Sequence, residues 1–228
     1  MPTLDKQPAR IQDMFSGIAR RYDLMNSLMT AGQDLRWRKE AMRLAEPSPG
    51  TFVLDLGAGT GDLSRMALRQ QPGCHPIAAD FTLDMMRAGQ GRGQLDWCAA
   101  DALGLPFADE RFEAVVSGFL MRNVLNVAQA LGEQYRMLKS AGRVVILDTT
   151  RPRRNLFWPL LWLHLHLVIP LLGWLISGQR AAYTYLPESS EHFLSAEELA
   201  QVMRSAGFTQ VTFQRRMFGT IAIHRGVK

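Results

Sequence analysis

At 228 residues, with 47% hydrophobic and 21% charged side chains, the chain has the length and balance of one α/β domain with a full core. Its net charge of +5 and pI of about 9.6 admit an anionic partner. The basic residues are nevertheless scattered, as Arg20-Arg21, Arg36 to Lys39, Arg151 to Arg154 and Arg215-Arg216, without the long basic run or aromatic platform of a nucleic-acid groove.

Cys74 and Cys98 lack metal or redox spacing and read as core thiols of a reducing compartment. The start of the chain mixes Asp5, Lys6, Arg10 and Asp13 before any apolar run, unlike a secretory signal. Residues Ile11 to Met42 carry a helical pattern, with Tyr22, Met25, Leu28 and Met29 on one stripe that is read first as core and second as the lip of a substrate site. After a Pro47, Pro49, Gly50 linker, an apolar strand Phe52 to Leu56 runs into Gly57-Ala58-Gly59-Thr60-Gly61-Asp62 and a helix marked by Leu63, Met66 and Ala67. A second strand, Ile77 to Ala79, ends in Asp80. Thr82 is set to cap the next helix, which Gly89, Gly91 and Gly93 end. A third strand, Leu95 to Ala99, precedes Asp101-Ala102, and a fourth spans Phe112 to Ser117. Val127, Leu131, Tyr135 and Leu138 share a helix face, with Gly142 in the role of C-terminal glycine. A fifth strand, Arg143 to Leu147, ends in Asp148.

The segment from Leu156 to Ile176 is about twenty residues without a formal charge, long enough to span a bilayer. Pro159, Pro170 and Gly173 interrupt it, His164 and His166 lie near its centre, and three of the five tryptophans (Trp158, Trp162, Trp174) fall inside it. Indole favours the membrane interface, so a broken pair of apolar helices over a greasy pocket or on the bilayer surface is expected rather than a span. The two histidines face different sides of a helix and do not make a ligand pair. Beyond it, Ser195 and Glu198 form a capping box for a helix with Leu199, Val202, Met203 and Ala206 that stops at Gly207. Strands Gln210 to Arg215 and Thr220 to His224 close the chain as an antiparallel hairpin. The alternation predicts a doubly wound, seven-stranded, mainly parallel Rossmann-like α/β sheet. The whole of 1–228 is read as a single domain, with 1–46 an N-terminal helical extension and 153–190 an apolar helical insertion or lid.

The glycine turn carries the chemistry. A strand, a glycine-rich turn and a helix hold a nucleotide-like cofactor against exposed backbone amides. The spacing here is G-x-G-x-G, not the dinucleotide G-x-G-x-x-G, and Asp55 and Asp62 flank it. Those carboxylates repel a diphosphate and suit a phosphate-free cofactor with a positive centre, S-adenosylmethionine. Ligands of such a sheet lie outside the carboxyl ends of the strands. That rule gathers Asp55 and the glycine turn through Gly61, with Thr60 and the Gly57 and Gly59 backbone at the methionine end, Asp80 for the ribose hydroxyls, Phe81 against the adenine face, and Asp101 with the Ala102 amide at its amino edge.

A further layer of residues resembles one family of these class I methyltransferases. Tyr22-Asp23-Leu24-Met25-Asn26 with Trp37 downstream, Phe119-Leu120-Met121-Arg122-Asn123-Val124, Arg136-Met137-Leu138-Lys139 before Gly142, and the closing Ile223-His224-Arg225-Gly226 are similar to the signatures of the ubiquinone/menaquinone C-methyltransferase (UbiE/MenG) family. Nearly the whole chain takes part. Departures mark a diverged branch: Asp34 for the histidine before the tryptophan, Leu120 for a glycine, Gly118 for a serine near the cofactor, Ser140 for a proline, and Asp148-Thr149-Thr150-Arg151-Pro152 for an E-x-S-K-P segment. The resemblance implies methyl transfer from S-adenosylmethionine to a ring carbon of a reduced, prenylated quinone, foremost demethylmenaquinol. It implies Arg122 and Asn123 as catalytic residues, Tyr22, Asn26, Tyr183 and His192 at the substrate, Gly118 beside the cofactor, and no metal. Asp148, His192 and Tyr183 are alternative proton acceptors. The implied setting is cytoplasmic, at the inner face of the cell membrane. The implied partners are a lipophilic quinol and the membrane surface, with no nucleic acid and a homodimer left open. Another prenyl phenol or membrane lipid is the rival substrate, and a membrane-surface scaffold with a vestigial cofactor fold is the rival to any enzyme.

Overall fold

The computed structural model describes residues 7–151, 158–169, 171 and 180–228. Three helices open it: α1 (Pro8–Ile18), α2 (Tyr22–Met29) and α3 (Gln33–Ala45). The single helical pattern read from sequence breaks at Ala19–Arg21 and again at Ala31 and Gly32, both in left-handed backbone. The apolar stripe divides accordingly: Met25 and Met29 are buried, while Leu28 is exposed.

Seven strands follow: β1 (Phe52–Leu56), β2 (His75–Asp80), β3 (Asp96–Ala99), β4 (Phe112–Gly118), β5 (Leu138–Thr149), β6 (Thr209–Arg216) and β7 (Ile221–Val227). They form one sheet in the order β3-β2-β1-β4-β5-β7-β6. β1 through β5 run parallel, and β7 inserts antiparallel between β5 and β6. Helices α4 (Asp62–Gln70), α5 (Leu83–Gln90), α6 (Val127–Met137), α7 (Trp158–Leu163), α8 (Arg180–Glu191) and α9 (Ala196–Ser205) complete the described chain. A π-helical turn, His164–Val168, continues α7.

The central strands are apolar on both sides because helices cover both faces of the sheet. Leu54, Leu56, Val115 and Ile146 pack with α6 and α9 on one face, and Val53, Ala114, Val116 and Val145 pack with Trp37, Ala41 and Leu63 on the other. Each such leucine, valine or isoleucine removed from water contributes about 1.5–3 kcal/mol. The Ser195–Glu198 capping box is present in both directions.

Two local readings differ. Helix α6 stops at Met137, and Leu138 is the first residue of β5, paired with Phe112. Gly142 therefore ends no helix. Its bare Cα lets strands meet, since a Cβ there would lie 2.7 Å from the Lys139 carbonyl oxygen and 3.1 Å from that of Glu113. Thr82 occupies the N-cap of α5 but its side chain caps nothing; its N–H instead donates to Asp80 at 2.7 Å.

Candidate active site

The carboxyl ends of β1, β2 and β4, with the loop after β3, surround a cavity with about 870 Å³ of empty space, its open mouth included. Tyr22, Gly57, Gly59, Asp80, Phe81, Asp101, Ala102, Gly118 and Asn123 line it. Helix α1 closes the far side with Pro8, Ile11 and Phe15. A second cavity, with about 590 Å³ of empty space, is lined by Asn26, Thr30, Arg122, Thr149, Ile169 and Thr220 among others. Phe119 lines both.

The glycine turn is wired into the protein, not left open. The N–H groups of Gly57 and Ala58 both donate to the Ala79 carbonyl, at 2.8 and 3.0 Å. Gly59 N–H donates to Asp80 Oδ2 at 2.7 Å, and Gly61 N–H donates to the Ala58 carbonyl at 2.8 Å. The expectation of exposed amides is therefore corrected: the turn leaves these four amides no bond to give a phosphate. Gly57, Gly59 and Gly61 all have positive φ, which only glycine adopts without strain.

Selectivity also moves from one pair of acids to another. Asp55 is fully buried, accepts from the Ser64 N–H and hydroxyl at 2.8 Å each, and does not line the cavity. It ties the end of β1 to the first turn of α4, and burial pushes its carboxyl up to about 6. Asp62 is engaged by Arg92 at 3.3 Å and Arg38 at 3.8 Å. Thr60 donates to Asp23 at 2.7 Å and is buried away from the cavity, and Gly61 shapes the N-cap of α4. Among the described residues, the acids that reach the cavity are Asp80 and Asp101, and no lysine or arginine lines it. Burial raises the Asp80 carboxyl, opposed by the N–H donors of Thr82 and Gly59. Asp101 Oδ1 accepts from the Leu103 N–H at 2.9 Å, which sets its turn. At the β2–β3 end, an apolar slot with two carboxylates fits a ribose, an adenine and a sulfonium, and offers a diphosphate no counter-charge there.

The second layer of residues centres on Phe119, a non-glycine residue at φ 61 whose N–H donates to the Leu147 carbonyl at 2.7 Å. Such strain persists where the surroundings over-determine it. Its ring lies 5.6 Å from both the Arg38 and the Arg122 guanidinium carbons. Arg122 is buried and pairs with Asp148 through Nη1 at 2.7 Å. Asp148 Oδ1 also accepts from the Thr149 N–H, and Oδ2 accepts from the Arg122 N–H at 3.3 Å. Every oxygen of Asp148 is thus committed to holding Arg122 and the strand end, which disfavours it as a proton acceptor. Asn123 donates to the Phe119 carbonyl at 3.1 Å and accepts from the Tyr185 hydroxyl at 3.2 Å. Burial pushes the Tyr22 phenol up, with Arg122 and Arg38 drawing it back. Leu120 packs against Gly57, where a Cβ would meet it at 2.8 Å.

His192 stands apart. It is exposed at the end of α8, with Nδ1 2.8 Å from the Glu188 carbonyl, and borders neither cavity. A histidine there satisfies a helix terminus, not a substrate. The Tyr183 side chain lies outside the described residues. Sequence reasoning named Leu120 as a departure from the family pattern, but it gave no role to Phe119, nor to Thr149, Ile169 and Thr220 of the second cavity. Phe119 and Thr149 stood inside quoted motifs; Ile169 and Thr220 carry no local signal, because separate elements bring them to the cavity.

A model of the ubiE/COQ5 methyltransferase family matches residues 3–228. The chain belongs to that family. The ubiquinone/menaquinone biosynthesis C-methyltransferase UbiE of Desulfotalea psychrophila is 46% identical over 99% of this chain and 92% of its own length. The demethylmenaquinone methyltransferase of Thermus thermophilus is 44% identical over 93% and 99%. Among solved structures, a SAM-dependent methyltransferase from Thermotoga maritima (TM-score 0.67, 19% identity, 95% of this chain and 99% of that one) shares the fold. So does phosphoethanolamine N-methyltransferase 2 of Haemonchus contortus with S-adenosyl-L-methionine (TM-score 0.65, 13% identity, 94% and 60%). This family member is an S-adenosylmethionine-dependent methyltransferase of the class I fold.

Proposed function

We propose that this methyltransferase places a methyl group on a ring carbon of a reduced, prenylated quinone, with demethylmenaquinol converted to menaquinol as the reaction. One observation carries the reading: the two cavities share Phe119 as a wall, with Asn123 lining one and buried Arg122 lining the other. The first cavity suits the cofactor, with Asp80 toward the ribose and the Gly57–Gly59 turn and Gly118 toward the methionine. The second suits the quinol ring.

S-adenosylmethionine, when bound, supplies an electrophilic methyl on a sulfonium. A quinol carbon is a good nucleophile once a neighbouring hydroxyl loses its proton. Arg122 is the group that favours this, because Nη1 is the one side-chain nitrogen it has bonded among the described residues, and its Nε has no partner. A guanidinium is a poor base but stabilises a forming phenolate in a dry site. Asp148 holds it in place, Asn123 fixes the junction, Asn26 borders the ring from α2, and Tyr22 borders the cofactor from the same helix. Apolar walls exclude water while the ring carbon faces the methyl. The hydroxyl proton before transfer and the ring-carbon proton after it both pass to water at the cavity mouth, with a neutral thioether left behind.

The prenyl tail needs a route out. Ile169 borders the ring cavity and packs with Met25 and Met29, while Trp162, Leu163, Leu167 and Leu171 of the same segment are exposed. That outward apolar face is the surface on which this protein would rest on the membrane to collect a lipid. No helix of the described residues is long and apolar enough to cross a membrane. The test supplies methyl-labelled S-adenosylmethionine and the purified protein to lipids extracted from cells that lack methylated quinone. Mass spectrometry should find the label on the naphthoquinol ring. A protein that binds the cofactor yet leaves demethylmenaquinol and its benzoquinol counterpart unlabelled would overturn the assignment.

A further inference from the structure

The cofactor cavity crosses the sheet from the loop after β3, past β2 and β1, to the end of β4. Its two carboxylates, Asp101 and Asp80, stand at the β3–β2 end. Behind the β4 end, just outside the residues that line the cavity, stands a buried cation. Arg38, on α3, is 5% exposed, and its guanidinium makes no hydrogen bond to any described residue. Asp34 and Asp62 approach only its Nε, at 3.7 and 3.8 Å, too long for hydrogen bonds. Both contacts come from the Nε edge, so they orient the guanidinium while leaving the Nη pair uncommitted. Nη1 lies 3.5 Å from where a Cβ on Gly118 would be, and Gly118 is bare backbone in the cavity wall. Nε is a buried donor without an acceptor, which is costly, and the Nη pair, to which no described residue offers an acceptor, is the edge that a ligand can reach.

We propose that Arg38 receives the α-carboxylate of the cofactor's methionine moiety. The cofactor is itself polar end to end: hydroxyl donors on the ribose, a carboxylate on the amino acid. Asp80 matches the first, and Arg38, on the opposite side of the Gly57 turn, matches the second. The planar guanidinium fork suits a carboxylate better than a lysine ammonium does. The absence of a side chain at Gly118 leaves the path between them open. The inference rests on the S-adenosylmethionine reading and not on the quinol.

Calorimetry with three ligands tests it: S-adenosylmethionine, its decarboxylated analogue and 5′-methylthioadenosine. The unmodified protein should prefer S-adenosylmethionine over the decarboxylated analogue by roughly ten- to hundredfold, the span of a charge-assisted bond. In Arg38→Met that preference should collapse to within about twofold, while methylthioadenosine binds as before and so reports an intact fold. Arg38→Lys keeps the charge that Asp34 and Asp62 need. It should fold even where the methionine variant does not, and should lose severalfold of the preference. Arg38→Met that binds methylthioadenosine normally and still discriminates by the full ratio would overturn the assignment, as would Arg38→Lys with an undiminished preference. An unmodified protein that binds methylthioadenosine but ignores the carboxylate would do the same. An unmodified protein that binds none of the three would instead overturn the cofactor reading on which this inference rests.

Discussion

Asp55 makes stability depend on pH in a direction opposite to most carboxylates. Its folded pKa is about 6 because burial outweighs the two Ser64 donors, whereas an unfolded aspartate titrates near ~3.9. Between those values the folded state holds a proton that the unfolded state has lost. Stability is therefore greatest below the unfolded value and falls as pH rises through the folded one. Roughly two pKa units correspond to about 3 kcal/mol. Asp80 shifts in the same direction, so the effect of Asp55 has to be isolated by difference. In Asp55→Asn the amide oxygen can still accept from Ser64, but nothing titrates. Urea unfolding of the cofactor-free protein at intervals from pH 4 to 7.5 gives the two profiles. The unmodified protein should lose about 3 kcal/mol relative to the asparagine variant across that range. Parallel profiles would mean that Asp55 is not the buried, weakly compensated acid inferred from its geometry.

Gly57→Ala forces an alanine into φ +68 and drives its Cβ to 2.8 Å from Leu120; together these cost about 2–5 kcal/mol, and cofactor affinity measured by calorimetry should fall at least ~10-fold. Leu120→Ala in the same chain should restore part of it, because the clash is relieved and the backbone strain is not. Asp148→Asn leaves Arg122 as a buried unpaired cation and should cost about 3–5 kcal/mol in denaturant unfolding. Adding Arg122→Met should recover most of that stability without restoring methyl transfer. Leu163→Asp with Leu167→Asp should abolish sedimentation with anionic vesicles and leave turnover of a short-tailed, micelle-free quinol within about twofold; unchanged vesicle binding would remove this face from the account.

The architecture was legible because its signals are local. The apolar runs of β1, β2 and β4, each followed by a helix pattern, fixed a parallel sheet, and the last two strands declared a hairpin. The rule that ligands sit at strand ends then located Asp80 and Asp101, and the family resemblance located Gly118, around one cavity. What could not be read was where a side chain spends its charge. Asp55 looked like a cofactor acid, yet Ser64, nine residues on, turns it inward. Gly142 looked like a helix cap, yet the carbonyls of Lys139 and Glu113 explain it. The second cavity joins α2, the β4–α6 loop, the end of β5 and the residues before β7, so no window of sequence contains it. Phe119 is the clearest case: its motif was visible, but its left-handed backbone and its place between two cavities belong to tertiary structure alone.

The most direct measurement is a single turnover with purified protein, deuteromethyl S-adenosylmethionine and a short-tailed demethylnaphthoquinol, read by tandem mass spectrometry. The account predicts a deuterated methyl on the ring carbon from the reduced substrate, none from the oxidised one, and a large loss of rate in Arg122→Met with cofactor affinity unchanged. A label on oxygen, or equal turnover of quinone and quinol, would contradict it.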